Sequence, residues 1–395
     1  MALTIDARRL RERPGMARLL DALGAADGLT RLVGGAVRDE LLELAVNDVD
    51  LATRLRPDEV VTRLAEAGIK AVPTGIAHGT VTAVSDGHAV EVTTLRRDVS
   101  TDGRRATVAF TDDWREDAAR RDFTINALSA DPLSGALFDY FDGLADLTAR
   151  RLRFIGSPLE RIAEDHLRIL RYFRFHARFG SAEPDAEALA ACTARANDLM
   201  ALSRERIADE LLKLLGLPDP APTVGIMLAH GILSPVLPEI EPQRLCDLEA
   251  LIAAERQAAV AVDPLRRLSA LLPADTLTAE RIAARLKLSN RARKRLACAA
   301  TRDCKAGPRA LAYRVGVECA TDRLLLCGAG GSVAELGGWQ VPRLPVGGGA
   351  LIARGVPEGP EVARVLRAIE DRWILSGFPD GDDLERIIAA EVGAR

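Results

Sequence analysis

Two aspartates two residues apart, Asp48 and Asp50, follow closely on a Gly34-Gly35 pair, and no other part of the chain is as well equipped for chemistry. In RLVGGAVRDELLELAVNDVDLAT, residues 31–53, an apolar strand with Leu32 and Val33 runs into the glycine turn. A helix then opens carrying Arg38 and Asp39, and a second strand is expected to hold Asp48 and Asp50. Side chains two apart on a strand share a face, so this reading aims both carboxylates at the mouth of the turn. Like charges repel, and folding gains nothing from juxtaposing them. The pattern makes sense if divalent cations sit between the acids while a polyphosphate lies against the glycines. Magnesium takes one or two carboxylates together with substrate phosphate oxygens. Singly, Gly-Gly before a helix or Asp-x-Asp is as readily a turn or a cap. The order of strand, glycine turn, helix and carboxylate strand points instead to metal-dependent nucleotidyl transfer.

Three further segments carry polar groups at telling positions. In HAVEVTTL, Glu91 alternates with Val90 and Val92; it is either an exposed strand residue or a third acid beside Asp48 and Asp50, as general base or outer support. In RRDFTINAL, Arg120 and Arg121 suit triphosphate, because a guanidinium matches phosphate oxygens bidentately, and Asn126 suits a ribose. The plainer reading is a capped helix start with Phe123, Ile125 and Leu128 buried. In EDHLRILRYFRF, Asp165, Arg168, Arg171 and Arg174 recur every three residues and would form a slanted stripe on one helix. Such a stripe is ordinarily solvated ion pairing of little worth. Beside a nucleotide it can select bases: cytosine and adenine both set an amine donor next to a ring-nitrogen acceptor, matching a carboxylate and a guanidinium. Uracil and guanine present the opposite polarity, which is costly once buried.

The elements that must position these groups are mixed α/β over residues 1–150, with a helix near 57–67 and strands in IKAVPTG, GTVTAVS and HAVEVTTL. The charged stretch 98–117 reads as a loop too polar to pack, and loops of that length are often functional. From about 155 onward apolar residues recur at three and four spacing, so the remainder is expected to be helical. Prolines 218, 220 and 222 and the run PVLPEIEP interrupt it, and GAGG at 328–331 and GGG at 347–349 read as linker turns before a last helical segment near 359–394.

Composition sets the bounds. A chain of 395 residues with 48% hydrophobic and 28% charged content is long enough for several folded domains. No apolar run has membrane-spanning length and the N-terminus lacks an apolar leader core, so a cytoplasmic protein is expected. The six cysteines lack paired short spacings, which argues against zinc and for reduced thiols. A net charge of −4 does not advertise nucleic-acid binding, yet Arg150, Arg151, Arg153, Arg161, Arg168, Arg171, Arg174 and Arg178 crowd one segment. A basic surface there is expected to bind RNA phosphates.

GGAVRD with DVD, GTV at 79–81, RRDFTINAL, DYFDGLADL, EDHLRILRYFRF and SRERIADELLKLL, in this order, resemble the bacterial-class CCA-adding tRNA nucleotidyltransferases, which share a head with bacterial poly(A) polymerases. The resemblance covers about the first 215 residues, with a looser match in LIARGVPEGPEVARVL. It implies an α+β fold: a polymerase-β-like nucleotidyltransferase head at 1–150, then an all-α neck (151–217), body (218–330) and tRNA-binding tail (331–395). It implies that two magnesium ions are held by Asp48 and Asp50, that Gly35 and Arg38 contact phosphates, and that Arg121 binds the incoming nucleotide. Asp165, Arg168, Arg171 and Arg174 would then read the base and contact phosphate. The partners implied are tRNA, CTP and ATP, with no obligate protein partner. A poly(A) polymerase or an enzyme adding only CC or only A is the alternative. No His-Asp pair occurs in the helical half, so no phosphohydrolase activity is expected.

Overall fold

A computed structural model describes residues 4–102 and 105–393. The chain divides into two compact units, Met1–Leu211 with Pro222–Val236, and Leu212–Ala221 with Leu237–Arg395.

The first unit is built on a sheet of β1 (Thr30–Val33), β2 (Asp50–Thr53), β3 (Lys70–Gly75), β4 (Thr80–Ser85) and β5 (His88–Thr94). The strands β6 (Arg96–Asp102) and β7 (Arg105–Phe110) form a separate hairpin, and β8 (Ser129–Ala130) and β9 (Leu137–Phe138) complete the main sheet in the order β3-β4-β5-β2-β1-β8-β9. Alternation drives the strands: in β4, Val81, Ala83 and Ser85 point into the core, and in β5, Val90, Val92 and Thr94 do so, leaving Glu91 on the open face. Strand β2 lies antiparallel to β1 but parallel to β5, which sets Asp50 directly beside Glu91.

Helices α1 (Ala7–Arg11) and α2 (Met16–Ala22) precede the sheet. They are followed by α3 (Gly35–Leu41), α4 (Pro57–Glu66), α5 (Trp114–Ala119) and α6 (Gly143–Thr148). The helical continuation begins with α7 (Pro158–Glu164), α8 (Arg168–Phe179), α9 (Ala186–Ala194) and α10 (Arg204–Leu215). Phe123, fully buried, locks this continuation to the head: its ring lies 4.9 Å from Phe154 and 5.4 Å from Phe175. Offset aromatic contacts at such distances add to ordinary burial. The segment containing Arg121 is thereby packed onto α8.

In the second unit the helices Arg244–Gln257, Pro264–Leu271 and Val317–Leu326 enclose an ionic core. Arg266 reaches Asp322 at 2.8 Å and Glu255 at 2.7 Å, Arg267 reaches the other Glu255 oxygen at 2.9 Å, and all four residues are buried. Arg267 also donates to Leu215 O at 2.9 Å. Farther along, Leu351, Val365, Ile369, Trp373 and Ile388 form an apolar cluster.

Several expectations are corrected. The polar stretch 98–117 is no loop; apart from Gly103 and Arg104, which lie outside the described residues, it forms the β6–β7 hairpin and leads into α5. Valine and threonine in its arms favour strand. GGG at 347–349 is not wholly a linker, because Gly348 opens a helix reaching Ala353, and the last segment is two helices, Pro360–Leu375 and Gly381–Gly393. Pro379 follows the first of them, and a proline cannot continue a helix. Not all thiols are reduced: Cys298 and Cys319 form a disulfide, while Cys192, Cys246, Cys304 and Cys327 are free. Among the described residues no helix is long and apolar enough to cross a membrane.

The crowded arginines are not a bare basic surface. Arg151 and Arg153 share Asp146, Arg161 and Arg168 share Glu164, Arg171 takes Asp122, Arg174 takes Glu210 and Arg178 takes Asp39. Only five of the 53 basic residues are lysine (Lys70, Lys213, Lys287, Lys294, Lys305), so this framework is almost entirely guanidinium.

Glu255 answers two buried arginines at once. Glu255→Ala is expected to destabilise the second unit by about 3–5 kcal/mol, the cost of leaving a buried charge unpaired. Urea unfolding followed by a probe in that unit measures it, and a loss below about 1 kcal/mol, the scale of an exposed pair, contradicts the assignment.

Candidate active site

Strand β1 stops at Val33 because Gly34 takes φ +67°, ψ −126°, a conformation that side chains disfavour. Space demands glycine there as well: a Cβ would sit 2.9 Å from Arg121 Nη1. The chain turns at once into α3, so the antiparallel ladder ends at the Val33–Asp50 pair and residues before Asp50 have no partner strand. This corrects the expected strand. Asp50 is its first residue, whereas Asp48 lies ahead of it in an irregular segment.

One cavity of about 460 Å³ gathers most of the expected groups. Gly34, Gly35, Arg38, Asp50, Arg121, Asp165, Arg168 and Arg171 line it, joined by Asp122, Asn126, Phe175 and Arg206. Asp48 lines a neighbouring cavity of about 400 Å³ with Arg13, Asn47 and His88, and Arg174 lines neither. Arg120 turns into a third depression with Arg97 and Glu164.

The carboxylates are under electrostatic stress. Asp50 is accessible from the cavity yet ringed by protein, and that enclosure, then Glu91, then Asp48, push its carboxyl above the usual range against the pull of Arg121. Among the described residues no ion pair or side-chain hydrogen bond engages Asp48, Asp50 or Glu91. The arginines opposite differ in how tightly they are held. Arg38 is buried, with 2.8 and 2.7 Å bonds to Asp39 Oδ1, a 2.5 Å bond to Asn126 Oδ1 and the Phe179 ring 4.2 Å away. Among the described residues Arg121 has only 3.4 Å contacts, to Asn126 O and Asp117 Oδ2, which leaves its donors available. Burial lowers the pKa of both guanidinium groups, Asp39 countering it at Arg38 and Asp117 at Arg121.

The base-reading stripe is also corrected. Asp165 is not on the helix with the arginines: α7 ends at Glu164, and Asp165 is extended at φ −152°, ψ 106°. Its Oδ1 accepts from Leu167 N at 3.1 Å, a local cap that restarts the chain as α8, and its Oδ2 accepts from Arg206 at 2.7 Å. Arg168 points back to Glu164 and to Arg161 O at 2.9 Å. Arg171 grips Asp122 at 2.8 and 2.6 Å; burial alone would raise that carboxyl, but Arg171 and Asn126 hold it below the usual range. Arg174 is turned to Glu210 at 2.6 Å, away from the cavity.

Sequence reasoning missed Arg206, Asp122 and Phe175. Arg206 and Glu210 stand four apart in SRERIADELLKLL, on one helix face, and meet Asp165 and Arg174 respectively. That spacing was the available signal.

Comparison with known proteins agrees with this architecture. The family described as "Poly A polymerase head domain" matches residues 30–153, and "Probable RNA and SrmB- binding site of polymerase A" matches residues 183–244. The mitochondrial CCA tRNA nucleotidyltransferase 1 of Mus musculus is 34% identical over 385 residues, 92% of this chain and 87% of that protein. A CCA-adding enzyme of Levilactobacillus brevis is 39% identical over 258 residues, 65% of this chain and 63% of that protein. The crystal structure of the Bacillus stearothermophilus CCA-adding enzyme in complex with CTP superposes with a TM-score of 0.76 at 26% identity, covering 97% of this chain and 98% of that one. With a relative this similar over nearly its whole length, and a sheet head running into helices as its fold, the chain belongs to the CCA-adding tRNA nucleotidyltransferase family.

Proposed function

We propose that the chain adds two cytidines and one adenosine to the 3′ end of tRNA without a nucleic-acid template, using CTP and ATP and releasing pyrophosphate. The observation that carries this reading is the single cavity in which Asp50 and the Gly34-Gly35 turn face Asp165, Arg168 and Arg171. Catalytic acid, phosphate turn and base-reading groups then act on one nucleotide.

Asp48 and Asp50 are assigned two magnesium ions, with Glu91 supporting them. The donor set fits: among the described residues these oxygen ligands have no protein cation in an ion pair, and enclosure by the protein, then repulsion from Glu91 and Asp48, raises the Asp50 carboxyl. Among the described residues no group of three or more potential ligands is assembled, so nucleotide phosphates and water must complete the shell. Bound metal would supply Lewis acidity and neutralise charge on the leaving group. Within the protein, Arg121 and Arg38 hold the triphosphate, and the Gly34-Gly35 backbone admits it closely. Asp165, oriented by Arg206, accepts the amine of cytosine or adenine, while Arg168 donates to the adjacent ring nitrogen. Arg171 orders the pocket through Asp122, and Arg174 props α8 through Glu210. Attack by the RNA 3′-hydroxyl on the α-phosphate is then chiefly a matter of positioning and electrostatics. Residues 1–150 serve as head, 151–217 as neck, 218–330 as body and 331–395 as tRNA-gripping tail.

The test supplies tRNA transcripts ending before, within and after C-C-A with each labelled nucleotide and magnesium. Two cytidines followed by one adenosine, and then arrest, are expected. Addition of C alone, A alone or a long adenosine tail would replace the reading with a partial enzyme or a poly(A) polymerase.

Asp50→Asn is expected to slow transfer by more than about a hundredfold, the upper range for losing a mere outer-shell partner of a metal, with an unchanged melting profile. Residual turnover near that of the parent removes Asp50 from the metal site. Arg168→Ala is expected to narrow the preference for CTP over UTP by about tenfold or more, since a mismatched buried polar group costs about 1–3 kcal/mol. Single-turnover incorporation with each nucleotide reads this out, and unchanged selectivity would exclude Arg168 from base reading.

A further inference from the structure

Residues 43–49 cross from α3 to β2 without entering a helix or the sheet. Main-chain bonds hold the start of this crossing, with Leu44 N donating to Asp39 O at 2.8 Å. Farther on, next to Asp48, the grip comes from another part of the chain. Arg13 Nη1 donates to Asn47 O at 3.1 Å, and Arg13 Nη2 donates to Val46 O. The Asn47 carbonyl and the Asp48 N–H belong to one planar peptide unit. Fixing that oxygen therefore fixes the plane from which the Asp48 Cα and its carboxylate project.

Arg13 is well placed to impose geometry, because the turn that bears it is seated on the sheet. Gly15 has φ +74°, and a Cβ there would lie 2.5 Å from Ser85 Oγ, so the turn between α1 and α2 lies directly against the end of β4. Ser85 Oγ donates to Gly15 O at 3.0 Å, Arg18 pairs with Asp86 at 2.8 Å, and Met16 is buried behind them. Strand β4 in turn pairs with β5, whose Glu91 neighbours Asp50. Arg13 thus spans from a fixed point on the sheet to the irregular stretch that carries Asp48. The cavity lined by Arg13, Asn47, Asp48 and His88 is where these groups meet. No ion pair of Arg13 with a carboxylate is formed among the described residues, and its fork is spent on two successive carbonyls. A lysine ammonium, a point donor, does not reproduce such a fork.

We propose that Arg13 is a positioning residue for Asp48: by clamping the Val46 and Asn47 carbonyls it holds the Asp48 carboxylate where a divalent cation shared with Asp50 is bound. The proposal rests on the reading of Asp48 as a metal ligand. Nothing in the sequence motifs of the site points to Arg13, which lies well ahead of them in RERPG.

The test compares the parent protein with Arg13→Ala, Arg13→Lys and Asp48→Asn. Manganese is titrated into each protein with CTP present and followed by electron paramagnetic resonance; the magnesium dependence of cytidine transfer and the melting profile without metal are measured alongside. For Arg13→Ala, manganese affinity is expected to fall and the magnesium needed for half-maximal transfer to rise by about tenfold or more, the usual effect of losing an outer-shell support. The KM for CTP at saturating magnesium should stay near the parent value, and Arg13→Lys should recover part of the loss. If Arg13→Ala does not fold, Arg13→Lys decides by the same criterion. Unchanged manganese affinity in a folded Arg13 variant, with Asp48→Asn weakened, overturns the role of Arg13 and leaves the Asp48 assignment standing. Unchanged affinity in Asp48→Asn removes the metal ligand itself, and the proposal falls with it.

Discussion

An arginine cannot shed its charge when buried, so each guanidinium taken into this protein must be met by a carboxylate or by carbonyl oxygens. Around the cavity that requirement dictates the packing. Arg38 takes Asp39 and Asn126, Arg171 takes Asp122, Arg206 takes Asp165, and Arg174 takes Glu210. Apart from Arg38 and Asp39, which are neighbours on α3, these partners come from elements remote in sequence, so they act as the fasteners between α3, the RRDFTINAL segment, α8 and α10. Phe123, Phe154 and Phe175 supply the apolar ground beneath them. Against this neutralised framework Asp48, Asp50 and Glu91 stand out as acids without an ion pair among the described residues, and it is their surplus of negative charge that calls for a cation.

The second unit obeys the same rule with different partners. Arg266, Arg267, Glu255 and Asp322 are enclosed together, and each oxygen of Glu255 serves a different arginine. Arg295 adds bonds to Asp322 and Asp263 at 2.6 and 2.8 Å. Breaking such a set from one side is costly, whereas the intact set need not exceed an apolar core in stability. Its geometry is directional, and it therefore specifies how three helices register in a way that leucines alone would leave looser.

Much of the fold was legible because it rests on local signals. The strand–glycine–helix start at 30–41, the alternation in β4 and β5 and the helical period beyond 155 appear where they were read. Glu91 beside Asp50 also follows from alternation plus one parallel pairing. What could not be read depends on ladder ends and distant partners. Asp48 falls outside β2 because Gly34 ends the opposing strand, which pattern alone does not reveal. Asp165 leaves the helix because its side chain caps Leu167, an alternative that a periodic stripe hides. The basic segment looked unpaired since Asp39, Asp122 and Glu210 lie far from their arginines in sequence. Cys298 and Cys319 are 21 residues apart and offered no spacing signature.

The near absence of lysine has a further consequence, in the response to acidity. Guanidinium groups remain protonated throughout the biological pH range, so the cationic half of the framework does not titrate. Within these ion pairs the acids are the members that titrate. Burial opposes them, yet Arg120 at Asp117, Arg171 at Asp122 and the Arg266 main chain with Arg295 at Asp263 hold these carboxyls below their usual values. A carboxyl depressed on folding contributes stability that is present above its unfolded value and is lost only as pH falls through its folded one. These pairs are therefore lost from the acid side, as pH falls through the depressed values of Asp117, Asp122 and Asp263.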